Sequence, residues 1–179
     1  MESTRTDHLI AWMAALAITI HVLESALPTP LPGVKPGLAN IITLAAMLLW
    51  GWRVAAWISL LRVLVGSLFI GTFLTPTFFL SFSGACCSLL VLGVAYIGSE
   101  KIPALAPTAV GYGVLAALAH MLGQFLAAYW LFIPHAALFR LLPILMTAAL
   151  IFGILSGVIT ARLVANLNSK DKSISKILS

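Results

Sequence analysis

Charged and hydrogen-bonding side chains are rare in this sequence, and two of the charged ones lie within long apolar stretches. The 179 residues include ten lysines and arginines, five acids and four histidines. Glu24 is the single acid inside an apolar stretch, and Arg62 is the most deeply placed base. Such residues usually mark a binding or transport site, because burying a charge is unfavourable. They predict a site for an ion or a polar molecule; for Arg62 the alternative is a structural arginine bonded to helix carbonyls.

The sequence offers little material for catalysis or for metal binding. The other four acids lie at a terminus or in a predicted loop, so no pair of carboxylates is available for acid–base chemistry. Cys86 and Cys87 are adjacent in an apolar stretch that supplies no further metal ligands. No glycine-rich phosphate-binding loop is present. We therefore predict no catalytic residues, no metal and no cofactor, and a protein that is not itself an enzyme.

The overall composition indicates the class of protein in which these residues lie. Apolar residues make up 61% of the chain, charged residues 8%, and the mean hydropathy is +1.10. Soluble domains carry roughly 25% charged residues, so a soluble fold of this length would lack the polar surface it needs. A soluble enzyme, a disordered chain and a nucleic-acid binder are excluded. The composition predicts a single-domain, all-α integral membrane protein.

The apolar residues fall into six stretches, which predict a bundle of six transmembrane helices. A spanning helix needs about 20 residues, and the second stretch is shorter than this. The second and third stretches are so close together that they predict a tight helical hairpin. The predicted spans are residues 8–27, 37–52, 54–74, 77–97, 106–132 and 138–165, followed by a polar tail over 166–179.

The distribution of lysine and arginine predicts the orientation of the bundle. Cytoplasmic loops are enriched in these residues. With a cytoplasmic N-terminus, seven of the ten bases lie on the inner side, only Lys35 and Arg140 lie on the outer side, and Arg62 lies within a span. We therefore predict that both termini are cytoplasmic and that the protein is a multi-pass component of the cell (inner) membrane.

The polar residues of different spans agree in depth. At a rise of about 1.5 Å per residue, seven of them project to the outer half of the membrane, with Arg62 beneath them. This agreement predicts an outward-opening pocket for a small anionic or zwitterionic molecule. Structural roles are the alternative to ligand binding for three of these residues: Lys35 in a stiff interfacial turn, His120 as a hydrogen-bonding residue between helices, and Arg140 as an interfacial anchor. The outer seven are His21, Glu24, Lys35, Asn40, His120, Gln124 and Arg140.

Aromatic residues near the same depth are candidates for the apolar walls of this pocket, with ordinary packing or lipid contact as the alternative. They are Phe73, Phe78, Phe79, Phe82 and Tyr129.

Small residues recur at helical spacing in two of the spans. Ala11 and Ala15 form an A-x-x-x-A pattern in the first span, and Gly153 and Gly157 form a G-x-x-x-G pattern in the sixth. Both patterns allow helices to approach closely. Packing within the chain and contact with a partner both remain open from the spacing alone.

Several segments together resemble the Gx transporter family, which is also labelled heptaprenyl diphosphate synthase component I. The most specific are LESALP at 23–28 and PGVKPGLANIITL at 32–44. Further similarity lies in 61–67, 81–84 and 119–124. The resemblance covers roughly residues 22–157.

This family is similar to the substrate-binding S components of energy-coupling factor (ECF) transporters. That similarity implies six helices, cytoplasmic termini and a ligand site near the outer face. It also implies that Ala11 and Ala15 contact a transmembrane T component, which acts with two ATPase subunits. Glu24, Lys35, Asn40, Arg62, His120, Gln124 and Arg140 are then the predicted substrate-binding residues.

The other family label implies a different role. It suggests a subunit associated with polyprenyl (heptaprenyl) diphosphate synthesis. Prenyl synthases of the usual kind hold Mg²⁺ and diphosphate with aspartate-rich motifs, whereas the only aspartates here are Asp7 and Asp171, both near a terminus. The alternative to an importer component is therefore a non-catalytic membrane subunit.

Overall fold

The protein is a bundle of α-helices. A computed structural model describes the backbone of residues 4–26 and 38–178 and the side chains of 4–25 and 38–169, and no strand occurs among them. The predicted all-helical fold is confirmed. The main helices are α1 (Arg5–Ala26), α2 (Leu38–Trp50), α3 (Trp52–Ile70), α4 (Pro76–Lys101), α5 (Ala109–Ala127) and α6 (Leu142–Leu178).

Shorter helical segments connect the last helices. A 3₁₀ turn (Pro103–Leu105) separates α4 from α5. A π-helical turn (Ala128–Phe132) and a 3₁₀ helix (Ala136–Leu141) separate α5 from α6. The backbone of α6 includes most of the segment that the sequence predicts as a polar tail.

Five of the described helices are long and apolar enough to cross a membrane, which makes this a multi-pass membrane protein. The sixth apolar helix, α2, has 13 residues. At about 1.5 Å per residue it extends roughly 20 Å, which is less than the roughly 30 Å of a hydrocarbon core. The number of complete crossings and the side on which the termini lie stay predictions.

Two tight connections set the directions of α2, α3 and α4. Gly51 alone separates α2 from α3 and has φ 90°, a conformation that glycine adopts without steric cost. The predicted helical hairpin is therefore present. At the other end of α3, Gly71 has φ 75° and its N–H donates to the carbonyl of Leu68. The chain then returns as α4 from Pro76.

The helices pack as two halves. α1 packs on α2 and α3, and α5 packs on α4 and α6. The halves meet through contacts of α2 with α6 and of α3 with α4, and through an apolar cluster toward the end of the bundle that carries the N-terminus. There the indole N–H of Trp52 donates to the carbonyl of Leu89 at 3.0 Å. The cluster consists of Leu44, Met47, Ala55, Leu92, Tyr112 and Ala116.

Gly153 and Gly157 of α6 lie directly against the backbone of α5. A Cβ atom on Gly157 would lie 2.6 Å from the Cα of Val110, and one on Gly153 would lie 2.9 Å from the Cα of Val114. Gly113 of α5 lies in the same contact, where a Cβ would lie 2.5 Å from the carbonyl oxygen of Gly153. The G-x-x-x-G pattern therefore serves helix packing within the chain.

The A-x-x-x-A pattern faces away from the bundle. Ala11 and Ala15 are exposed, whereas Ala14 and Ala17 on the other side of α1 are buried. Trp12, next to Ala11, is also largely exposed. This side of α1 is therefore accessible to lipid or to another protein, and the predicted contact with a T component stays a prediction.

Replacement of Gly157 by alanine should destabilise the bundle, because the new methyl group meets backbone atoms that cannot rotate away. We expect a loss of about 1–3 kcal/mol, as for other overpacked contacts, seen as a lower midpoint of thermal unfolding in detergent. Gly98→Ala on α4 is the matched control, since no atom lies within 4 Å of the Cβ position there. Equal midpoints for the two variants would contradict the close α5–α6 packing.

Candidate functional site

A cavity of about 340 Å³ lies among the helices at one end of the bundle. Its lining comes from the last turns of α1 and α5, the middle of α3, and the first half of α2, α4 and α6. Because successive helices run in opposite directions, the end of α1 and the beginnings of α2 and α4 lie at the same end of the bundle. This is the end away from the N-terminus. Polar side chains that the sequence places at one depth therefore do meet in space.

The cavity includes most of the predicted substrate-binding residues. Glu24, Asn40, Arg62, His120 and Gln124 line it, together with His21. Arg140 does not line it, but is exposed on the 3₁₀ helix Ala136–Leu141. Lys35 lies outside the described residues.

Arg62 is a buried charge near the middle of α3. It is 6% exposed, and it lies ten residues into α3, or about 15 Å from the start of that helix. Its Nε atom has no hydrogen-bond partner among the described residues. A guanidinium has five N–H donors and does not lose its charge in proteins. The cavity beside Arg62 is therefore a place where an acceptor from a ligand is favoured.

Glu24 connects α1 to the beginning of α2. Its carboxylate accepts the N–H of Leu38 at 2.5 Å and the N–H of Ala39 at 3.4 Å, and the residue is 3% exposed. The first N–H groups of a helix have no partner within the helix, and they favour a negative charge. Glu24 satisfies two of them, so it fixes the first turn of α2, where Asn40 faces the cavity.

His120 and Gln124 form a hydrogen-bonded pair one turn apart on α5. The Nε2 atoms of the two side chains lie 3.1 Å apart. Gly84 of α4 lies directly opposite, where a Cβ atom would be 2.8 Å from the Cγ of Gln124 and 2.9 Å from the ring of His120. The missing side chain at Gly84 therefore gives this pair its position at the cavity wall.

His21 is positioned in a similar way on the other side of the cavity. A Cβ atom on Gly66 of α3 would lie 3.0 Å from the ring of His21. Since Gly66 is one turn beyond Arg62, this close contact brings the end of α1 next to the arginine.

The apolar part of the lining is not the one proposed from the sequence. Phe78 packs instead with Phe73, Phe79 and Phe82, and Tyr129 packs with Phe139. None of these five aromatic residues is among those that line the cavity, which leaves the alternative of ordinary packing or lipid contact. The apolar lining includes Val63, Leu80, Met121, Ala149 and Phe152.

Sequence reasoning also missed polar lining residues. Ser81 and Ser156 both face the cavity. Ser81 lies within a segment that resembles the family, and Ser156 lies between Gly153 and Gly157, so both positions carried a signal. Ser81 lies near the beginning of α4, at the depth of the other polar residues, whereas Ser156 lies deeper, next to the contact of Gly157 with the beginning of α5. Among the described residues, no group of three histidine, cysteine or acidic side chains is placed to hold a metal ion.

A bundle of apolar helices around a cavity with one buried arginine defines a multi-pass membrane protein with an internal site of small-molecule size. The family model described as heptaprenyl diphosphate synthase component I matches residues 13–163, and the chain belongs to this family. No curated protein and no solved structure matches the chain. The resemblance noted from the sequence is thus confirmed for the family label. Its similarity to ECF components stays a prediction.

Replacement of Gly84 by alanine should disturb the site more than the fold. The new methyl group would overlap the side chains of His120 and Gln124, so one of them has to turn away from its position in the cavity. We expect a loss of ligand retention of about tenfold, corresponding to roughly 1.4 kcal/mol. Native mass spectrometry of the purified protein would measure the fraction that carries a bound small molecule.

Gly98→Ala is the matched control for this prediction. It makes the same change on the same helix, but no atom lies within 4 Å of the new methyl group. Equal ligand retention in the Gly84 and Gly98 variants would show that the His120–Gln124 pair has no part in binding.

Proposed function

We propose that this protein is the substrate-binding component of an ECF-type importer, and that it captures a small anionic or zwitterionic molecule from the outer side of the cell membrane. The observation that carries the proposal is the buried guanidinium of Arg62 beside the cavity, whose Nε atom has no hydrogen-bond partner among the residues that the structure describes. A purely structural arginine would be expected to use its donors on the protein itself.

The cavity has the properties of a small-molecule site. Its volume of about 340 Å³ is within the range of about 300–1,000 Å³ that is usual for ligand pockets. Arg62 would bind the anionic part of the ligand, while Asn40, His120 and Gln124 would fix its orientation. Mostly apolar lining with a few convergent polar groups is the usual composition of such pockets.

The position of the cavity supports access from outside. It lies at the end of the bundle away from the N-terminus, and the excess of lysine and arginine favours a cytoplasmic N-terminus. The cavity then opens near the outer face. Lys35 and Arg140 belong to the same side in this orientation, and both would attract an anionic ligand.

Uptake requires partners in this proposal. The sequence has no phosphate-binding loop, so a T component and two ATPase subunits would supply the energy for release into the cell. The exposed pair of small residues, Ala11 and Ala15, supports docking of the T component on α1. Small side chains let two helices in a membrane approach closely.

A second candidate function has support from the description of the family. In that case the chain is a non-catalytic membrane subunit associated with polyprenyl diphosphate synthesis. The cavity is large enough for a small molecule but lies at the lower end of the usual size range. A heptaprenyl chain would extend well beyond it, so this role would depend on contact with a soluble synthase.

Replacement of Arg62 by glutamine should abolish retention of the bound molecule while the protein still folds and inserts. The glutamine removes the charge that the ligand neutralises, and losing a buried charge-assisted bond of this kind reduces affinity by about 100-fold or more. Native mass spectrometry of protein purified in mild detergent would show the ligand on the wild type and its loss from the variant.

Arg53→Gln is the matched control, because Arg53 lies on the same helix but is exposed near the opposite end. It removes the same charge from the chain, and we expect normal retention. If the two variants retain ligand equally, Arg62 is not part of the binding site.

Copurification distinguishes the two candidate functions. For the importer we expect a stable complex with a T component and two ATPase subunits, weakened when Ala11 and Ala15 are both replaced by leucine. Ala165→Leu, at an exposed alanine of α6, is the control. A complex with a soluble, aspartate-rich prenyl synthase, active only when this chain is present, would instead support the second candidate.

A further inference from the structure

Glu24 and Arg62 both line the cavity and attract each other electrostatically, but their hydrogen bonds differ. Both oxygens of Glu24 accept backbone N–H groups of α2, from Leu38 at 2.5 Å and from Ala39 at 3.4 Å. The partial positive charge at the beginning of a helix offsets part of a nearby carboxylate charge. Glu24 is therefore already stabilised by the protein before any ligand binds.

Arg62 is in the opposite situation. It is 94% buried, and its Nε atom has no hydrogen-bond partner in the described part of the chain. A buried guanidinium requires acceptors or an anion to offset the loss of water. Since Glu24 is held at the first turn of α2, the charge left for a ligand to neutralise is the positive one.

Polar residues predominate in the lining from α1, α2 and α3, whereas α5 contributes both kinds, with His120 and Gln124 beside Met121. His21, Glu24, Asn40 and Arg62 come from α1, α2 and α3. The wall from α6 is mainly apolar, with Ala149 and Phe152 beside Met121 of α5. A ligand that fits both walls has a charged end and an apolar body.

We propose that the cavity binds a small monoanion with an apolar body, such as an aryl- or alkyl-carboxylate. The inference rests on the proposed function, because it assumes that the cavity is a ligand site, and it narrows the ligand from anionic or zwitterionic to anionic. The anionic group binds Arg62 and the body contacts Met121, Ala149 and Phe152. Glu24 is a positioning residue that holds α2, and it does not bind a cationic group of the ligand.

A matched series of compounds tests the required charge directly. The probes share a phenylpropyl body and differ in charge: 3-phenylpropionate is an anion, phenylalanine a zwitterion, 3-phenylpropionamide neutral and 3-phenylpropylamine a cation. Thermal unfolding of the ligand-free protein in detergent, with millimolar probe, would report binding to the folded state. We expect the anion to bind about tenfold or more tightly than the amide and the zwitterion.

The outcomes of the series are distinct. Preferential stabilisation by 3-phenylpropionate, abolished in Arg62→Gln and kept in Arg53→Gln, supports the inference. Equal or greater stabilisation by phenylalanine or by the amide overturns it. Binding of the amine overturns it as well, and so does the absence of stabilisation by every probe. Retention of a cellular molecule by the wild type tests the proposed function separately, because that measurement does not depend on these probes.

A second measurement uses no ligand. If Arg62 lacks compensation in the empty protein, Arg62→Met should raise the thermal midpoint of the ligand-free protein by about 2 °C or more, because replacing an uncompensated buried charge with an apolar side chain is stabilising. The midpoint should be unchanged in Arg53→Met, since that side chain is exposed. A lower midpoint for Arg62→Met would show that the protein itself satisfies the arginine, which overturns the inference.

Discussion

The buried charge of Arg62 is the constraint on which the arrangement of this bundle depends. A guanidinium within a membrane bundle is tolerated when acceptors or an anion surround it. Here α3 places it beside a cavity whose polar lining comes mostly from the neighbouring ends of α1, α2 and α5. The same end of the bundle holds Glu24, which is used to fix α2. Glu24 is thus used in folding, whereas the charge of Arg62 is the one that the proposed ligand neutralises.

The depth of the polar residues could be predicted from the sequence, because depth follows from position along an apolar helix. His21, Glu24, Asn40, His120 and Gln124 were placed at one level above Arg62 on this basis, and they do line one cavity. The all-helical fold follows from composition for a similar physical reason: a backbone in lipid has to satisfy its own hydrogen bonds. Both predictions rest on local properties of the chain.

The side of each helix that faces the cavity was much harder to predict than the depth of its residues. In a soluble protein the polar face of a helix identifies its outer side, but here lipid-facing and buried sides are both apolar. The sequence therefore leaves open whether the aromatic residues near Phe78 line the cavity or pack elsewhere, and in the structure Phe152 contributes to the wall instead. The bonds of Glu24 to Leu38 and Ala39 connect residues on both sides of a long loop, so no local pattern reveals them.

One apolar cluster joins the two halves at the end away from the cavity, and a second, with Val63 of α3 and Phe78 of α4, joins them at the cavity end. Gly51 and Glu24 hold α1, α2 and α3 together, and the glycine contact at Gly157 holds α5 and α6 together. The halves are therefore fastened to each other at both ends of the bundle. A wall built in this way favours a site that is already formed when a ligand arrives over one that closes by rotation of the halves.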